Sequence, residues 1–119
     1  VSFCRGGEPL RHDDYGILWE HLVLEYLQAH LPDRTVQYWR DAYGREIDFI
    51  IARNRDEVDV IECKWNPDQF HADALKLFRS FYNRGNNYLV CPISSPGYRK
   101  EVSGIDILVC NPDGVQRDV

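Results

Sequence analysis

The sequence has no methionine, no pair of cysteines in C-x-x-C spacing, no apolar run of membrane-spanning length and no excess of positive charge. Each absence excludes something. A chain lacking methionine is expected to have been processed or cut from a larger protein, because translation starts at that residue. Without C-x-x-C spacing a zinc site is not expected: Cys4, Cys63, Cys91 and Cys110 are scattered, and three of them stand in apolar runs where cysteine acts as a small buried hydrophobe. No stretch approaches the ~18 apolar residues of a membrane span, and the opening VSFCRGG lacks the apolar core of a signal peptide, so a cytoplasmic setting away from membranes is expected. With 19 Asp and Glu against 14 Lys and Arg, strong nonspecific binding to nucleic acid is disfavoured, and only a local basic groove would serve. G-x-x-x-x-G-K-[ST] is also absent, so the chain carries no nucleotide-hydrolysing loop of that kind.

What is present describes one compact domain. At 119 residues and 44% hydrophobic content a single core buries roughly two thirds of the surface of the unfolded chain, without disulfides or a structural metal. Residues 1–14 mix charge, Gly and Pro without periodicity and read as an opening segment or the end of a linker, leaving 15–119 as the domain. Apolar spacing predicts a helix from Tyr15 to Leu31, ended by Pro32. TVQYWRD (35–41), REIDFIIAR (45–53) and EVDVIECKW (57–65) read as three strands joined by two hairpins. Asn66 as N-cap, Pro67 at the first helical position and Gln69 three residues after the cap predict a second helix to about Tyr82, burying Phe70, Ala74, Leu77, Phe78 and Phe81. NNYLVCP (86–92) and GIDILVC (104–110) follow as strands, with ISSPGYRKEVS as a loop between them. This αβββαββ order predicts an α/β fold with a mixed central sheet flanked by helices.

Two acids interrupt apolar strands: Asp48 within IDFII and Glu62 within VIECKW. Charges in such places usually have partners or a bound metal. Alternation puts Glu62 and Lys64 on one face, and a hairpin between the two strands can bring Asp48 beside Glu62. Two carboxylates and a lysine then converge, a set of hard oxygen donors suited to Mg²⁺ or Mn²⁺ with several waters retained, with an ammonium to steer water or steady phosphate charge. The plain alternatives are a solvated Glu-x-Lys edge, and an Asp48 that serves a bulge or pairs with Arg40 or Arg45. On the first helix, Glu20 lies in line with Leu24, Leu27 and Leu31 and points inward, either as a core acid tied to an Arg or Tyr or as a third acid at the same cation. His12, His21, His30 and His71 have no ligand spacing, and Tyr38, Trp39, Tyr43 and Trp65 are either base-stacking or core aromatics. Arg79, Arg84, Arg99 and Lys100 form the best basic cluster for DNA, the alternative being a solvated surface.

Glu20, Asp48 in GREIDFII and Glu62-Cys63-Lys64 in VIECKW resemble the PD-(D/E)XK nuclease-like motif set, whose restriction-endonuclease-like αβββαβ core matches the element order above. GILWEHLVLEYL, YWRDAYGREIDFII, IECKWNPDQF and LKLFRSFY together resemble, over residues 15–92, the C-terminal domain of unknown function that follows the ATPase module in many bacterial and archaeal AAA-type ATPases. The resemblance implies that Asp48, Glu62 and the Cys63 carbonyl bind Mg²⁺ or Mn²⁺, with Glu20 assisting, and that Lys64 positions the attacking water. It implies hydrolysis of DNA phosphodiesters, and an AAA-type ATPase module as partner. Ile47 precedes Asp48 where the motif has proline, and a second departure lies on the helix after the lysine, where nuclease relatives often carry Gln or a basic residue and the sequence offers Gln69, Lys76 and Arg79 with no clear equivalent. The alternative is an accessory or protein-interaction module that keeps the nuclease fold without catalysis.

Overall fold

A computed structural model describes residues 12–94 and 96–118. Most of the opening segment, with Cys4, lies outside the described residues. Helix α1 spans His12–His30, so its first turn takes in residues 12–14, which the sequence assigns to that segment. Val23 and Leu27, one turn apart, are fully buried, with Trp19, Leu24 and Leu31 packed partly against the same core. Strands β1 (Val36–Arg40), β2 (Glu46–Ala52) and β3 (Val58–Cys63) form the expected antiparallel meander. Strands β4 (Asn87–Val90), β5 (Tyr98–Val102) and β6 (Ile105–Cys110) complete a mixed six-stranded sheet in the order β1-β2-β3-β4-β6-β5, with β3, β4 and β6 parallel.

Two cores cover the sheet. Helix α1 packs Val23 and Leu27 onto Phe49, Ile51, Ile61, Tyr88 and Val90, and Val115 of α3 (Pro112–Asp118) joins them. On the other face, Leu75 and Phe78 of α2 (Asp73–Phe81) cover Ile47, Ile50, Val60, Leu89 and Val109. No helix among the described residues is long and apolar enough to cross a membrane.

Three expectations need correction. The second helix is divided: Asn66 caps a 3₁₀ turn over Pro67–Gln69 through its bond from the Asp68 amide, the chain extends at Phe70, and α2 starts afresh at Asp73. That break resets the helical phase, so Leu75 is buried, whereas Phe81 is 67% exposed. The loop before β6 contains β5, paired to β6 through a two-residue turn in which both Ser103 and Gly104 have positive φ. Its residues are almost all polar and exposed, which hid it from apolar patterning. Third, α3 follows β6, where no element was expected.

Gly85 ends the β3/β4 crossover and fixes where the two strands begin to pair. Its φ is +134°, and a Cβ there would lie 1.8 Å from the Val58 carbonyl oxygen. Both strain and clash fall on backbone, so Gly85→Ala is expected to cost about 3 kcal/mol or more in a urea melt. A loss below about 0.5 kcal/mol would show that this close approach is not maintained in solution.

Candidate functional site

The site lies where β2 begins and β3 ends. Pairing of β2 with β3 runs through Phe49 opposite Ile61, so the next step sets Asp48 across from Glu62. On its other side β2 carries a bulge. Between Ile47 and Ile50 it holds Asp48 and Phe49, where β1 has only Tyr38 between Trp39 and Gln37. A bulge turns side chains from strict alternation, which explains why Ile47 and Ile50, three apart, share the α2 core while Phe49 faces α1.

At this point side chains replace the ladder. The Cys63 amide donates to Asp48 Oδ2 at 2.8 Å, and the Asp48 amide donates to Glu62 Oε1 at 2.9 Å. The two acids thus cross-bind the strands that carry them. Asp48 faces a cleft of about 400 Å³ lined also by Gly16, Ile17, Glu20, Cys63, Lys64, Trp65 and Gln69. Helix α1 contributes Glu20, and the 3₁₀ turn contributes Gln69. Glu62, 7% exposed, lies behind the Asp48 backbone and does not line the open wall.

Among the described residues no arginine pairs with these acids, and Lys64 offsets their charge only in part. Arg45 pairs with Asp41 at 2.7 Å and Arg40 with Glu46 at 2.6 Å, so the arginines considered as partners for Asp48 are engaged elsewhere. Among the described residues no salt bridge joins Lys64 to Glu20, Asp48 or Glu62. Asp59, four residues before Cys63, shows the contrast. It is fully buried, yet it meets Arg53 at 3.1 Å and accepts the Asn86 amide at 2.9 Å. A structural acid in this strand has its arginine, and Glu62 does not.

The electrostatic consequence follows. Burial, then the charge of Asp48, pushes the Glu62 carboxyl up to about 8 from an ordinary value of 4.5, with Lys64 opposing. Burial also raises Asp48, opposed by the Cys63 amide bond and by Lys64. Glu20 is raised by burial, then by Asp48 and Glu46. The Cys63 thiol is held well above its usual range by burial and the three carboxylates. These groups form an acidic cluster short of positive charge.

Other expectations fare differently. Arg79 is not a phosphate ligand in waiting, because every N–H of its guanidinium is used. Nε donates to Asn87 Oδ1, and the terminal nitrogens donate to the carbonyls of Tyr82, Arg84, Val58 and Asn86. Arg99 pairs with Asp106 at 3.1 Å. Asn87 links this pair to Arg79 through the Asp106 carbonyl, so Arg79 and Arg99 are joined only by a relay across β4 and β6. The Arg84 carbonyl binds the Val58 amide at the start of β3, and Val58 to Lys64 spans about 20 Å of strand. Lys100 sits on β5, three strand spacings or about 14 Å from β3. The basic cluster therefore does not border the cleft. Cys63, Cys91 and Cys110 are buried. Among the described residues no group of three or more His, Cys, Asp or Glu side chains is preassembled to hold a metal ion. The sequence reading also passed over Gly16, Ile17 and the cleft position of Trp65. Gln69, Lys76 and Arg79 were the candidates on the following helix, and of these Gln69 lines the cleft.

A family model described as a domain of unknown function (DUF4143) matches residues 15–109. Among solved structures, the chain is similar to one from a tetradecameric assembly of Thermococcus gammatolerans McrB AAA+ hexamers with bound McrC, at 12% identity and a TM-score of 0.57. The match covers 81% of this chain and 27% of that one, and at such identity it is a likeness of fold. No curated protein matches the sequence.

Two outcomes test this geometry. Glu62 is neutral more readily when folded than when unfolded, so its contribution to stability is full below pH 4.5 and is lost as pH rises through about 8. Glu62→Gln keeps the acceptor for the Asp48 amide, and it is expected to flatten that decline and raise stability at pH 8.5 by roughly 1–3 kcal/mol. Destabilisation by Gln at that pH would contradict an uncompensated charge. Arg79→Lys is expected to lower stability by about 2–4 kcal/mol, since one ammonium cannot satisfy the four carbonyls and Asn87. It should leave the salt dependence of any DNA binding unchanged, and a reduced slope would return Arg79 to the interface.

Proposed function

The chain belongs to the DUF4143 family of domains of unknown function, and we propose that it is a PD-(D/E)XK-type, restriction-endonuclease-like domain over residues 15–119 that hydrolyses DNA phosphodiesters with a divalent metal. The observation that carries this reading is that Glu20, Asp48 and Lys64 line one cleft, with Glu62 bonded behind Asp48 and no salt bridge to these acids among the described residues. The donors suit Mg²⁺ or Mn²⁺. They are hard oxygens, and their carboxyl pKa values are raised first by burial and then by neighbouring carboxylates, with Lys64 opposing. One or two carboxylates suffice for Mg²⁺, which keeps most of its waters, so a preassembled set of three is not required. Asp48 and Glu62 would hold the ion with the Cys63 carbonyl, and Glu20 would assist.

When bound, such an ion lowers the pKa of water and neutralises phosphate charge. The protein's own groups do the rest. Lys64 hydrogen-bonds and orients the water aimed at phosphorus, and its charge offsets the negative charge that builds on the phosphoryl oxygens. Glu20, half-buried at the cleft wall, accepts a proton from the water shell. Burial of Glu62 and the core beneath Asp48 keep the carboxylates fixed, so little reorganisation is needed.

The full protein is proposed to join this domain to an AAA-type ATPase in the cytoplasm. Support comes from the T. gammatolerans relative in fold, whose assembly contains AAA+ hexamers, and from the chain's spanning about a quarter of that relative. A second reading, an accessory module without catalysis, is favoured by the bonds Asp48 and Glu62 make to backbone amides, since these give both acids a structural task.

Cleavage separates the two. DNA incubated with the protein at pH 8 is expected to be cut slowly with Mg²⁺ or Mn²⁺, hardly with Ca²⁺, whose coordination is looser, and not in EDTA. Lys64→Ala should lower the rate about 100-fold or more while Mn²⁺ still binds, whereas Asp48→Ala should lose both. Cutting that survives Glu62→Ala or EDTA would assign it elsewhere, and folded protein inert with every metal would favour the accessory module.

A further inference from the structure

The wall of the cleft beside the acids is apolar and aromatic, and the proposed hydrolysis does not use it. Trp65 follows Lys64 directly and lines the same cleft, 40% exposed. The indole is held firmly for so exposed a group. Tyr15 stacks on it with centroids 5.3 Å apart and planes 20° from parallel, and Trp19 meets it edge to face at 6.2 Å. Trp19 is itself anchored, its Nε1–H donating to the Val90 carbonyl at 2.9 Å. Trp65 is thus the middle ring of a three-ring cluster fixed to the sheet, with one face covered by Tyr15 and the remaining exposed part of the indole open to the cleft. Ile17, 49% exposed, extends the same wall.

Gly16 opens space beside it. It lies within α1, where glycine weakens a helix, and a Cβ at that position would meet nothing within 4 Å. Packing does not require glycine there, and the position borders the open cleft. An exposed indole, an exposed isoleucine and a helix-weakening glycine therefore coincide on one wall, facing the carboxylates.

We propose that this wall is a stacking subsite for an unpaired nucleobase, so that the cleft takes single-stranded DNA or a frayed end in preference to an intact duplex. This rests on the nuclease reading of the cleft. In a duplex each base is already stacked and its face is hidden, so Trp65 could engage one only after unpairing it. In a single strand the face is free, and an aromatic platform takes any base, because every base offers a π surface. With Trp65 next in sequence to Lys64, a base stacked there would set its adjoining phosphate toward Asp48 and Lys64.

The test is fluorescence anisotropy in EDTA at low salt, so that binding is read without hydrolysis. The probes are a labelled 12-nucleotide oligo-dT strand and the same strand paired to oligo-dA. The single strand is expected to bind at least tenfold more tightly than the duplex. Trp65→Ala should weaken single-strand binding about tenfold and leave duplex binding unchanged, and Trp65→Phe should restore most of the loss. Gly16→Leu should fill the cleft and weaken single-strand binding to the same degree, with an unchanged or higher Tm. Equal affinities for strand and duplex would overturn the proposal. So would absence of binding to either, or unchanged affinity in a folded Trp65→Ala or Gly16→Leu protein. Cleavage by the wild-type protein with Mg²⁺, assayed beside binding, separates this from the parent reading. Strand binding that persists in a protein never able to cleave would sink hydrolysis and leave the subsite, whereas metal-dependent cleavage indifferent to Trp65 would sink the subsite alone.

Discussion

The reciprocal bonds between Asp48 and the Cys63 amide, and between the Asp48 amide and Glu62, are the interaction on which the site depends. They lie where the β2/β3 ladder gives way, and they let two acids stand at adjoining strand positions without an arginine. Carboxylates brought together in a part-buried place repel, and each amide bond offsets part of that cost. Burial first, and neighbouring carboxylates after it, still leave the three carboxyl pKa values raised. A protein that needed only to close two strands could do so with backbone bonds, as the rest of β2 and β3 do.

The fold positions this pair through layering. The bulge at Asp48 and Phe49 lets β2 feed Ile47 and Ile50 to one core and Phe49 and Ile51 to the other. Between those faces Asp48 emerges at the sheet's end. Helix α1, buried through Val23 and Leu27, carries Glu20 to the same place, and the turn after β3 brings Trp65 and Gln69. The opposite pole is built for strength: Arg79 gathers four carbonyls, Asp59 is tied to Arg53, and Gly85 lets β3 and β4 close. Stability and exposed chemistry occupy different ends of the sheet.

Much of this was legible in the residues, and the rest was not for physical reasons. Five strands and α1 follow from apolar patterning because each gives apolar side chains to a core, β1 only the half-buried Val36 and Trp39. Strand β5 has almost none, and its signal lay in the Ser103-Gly104 turn. Capping chemistry at Asn66 is real, but it caps a single turn, since nothing in a cap says how far a helix runs. The acids stood out as charges among core residues, whereas Asp59, equally misplaced by pattern, attracted no notice and proved to be paired. The basic cluster misled because an arginine's sequence position does not reveal whether carbonyls will claim it. Trp65 was visible as an aromatic, but its opening to the acids depends on α1 crossing the end of β3, which only tertiary structure shows.

The most direct test of the central claim is calorimetric titration of Mn²⁺ into the protein at pH 8, and into Asp48→Asn, which keeps the size of the side chain and removes its charge. A single saturable site in the wild type, with proton release as Glu62 ionises and with binding lost in the variant, is the predicted result. No binding by folded wild-type protein, or equal binding by Asp48→Asn, would contradict it.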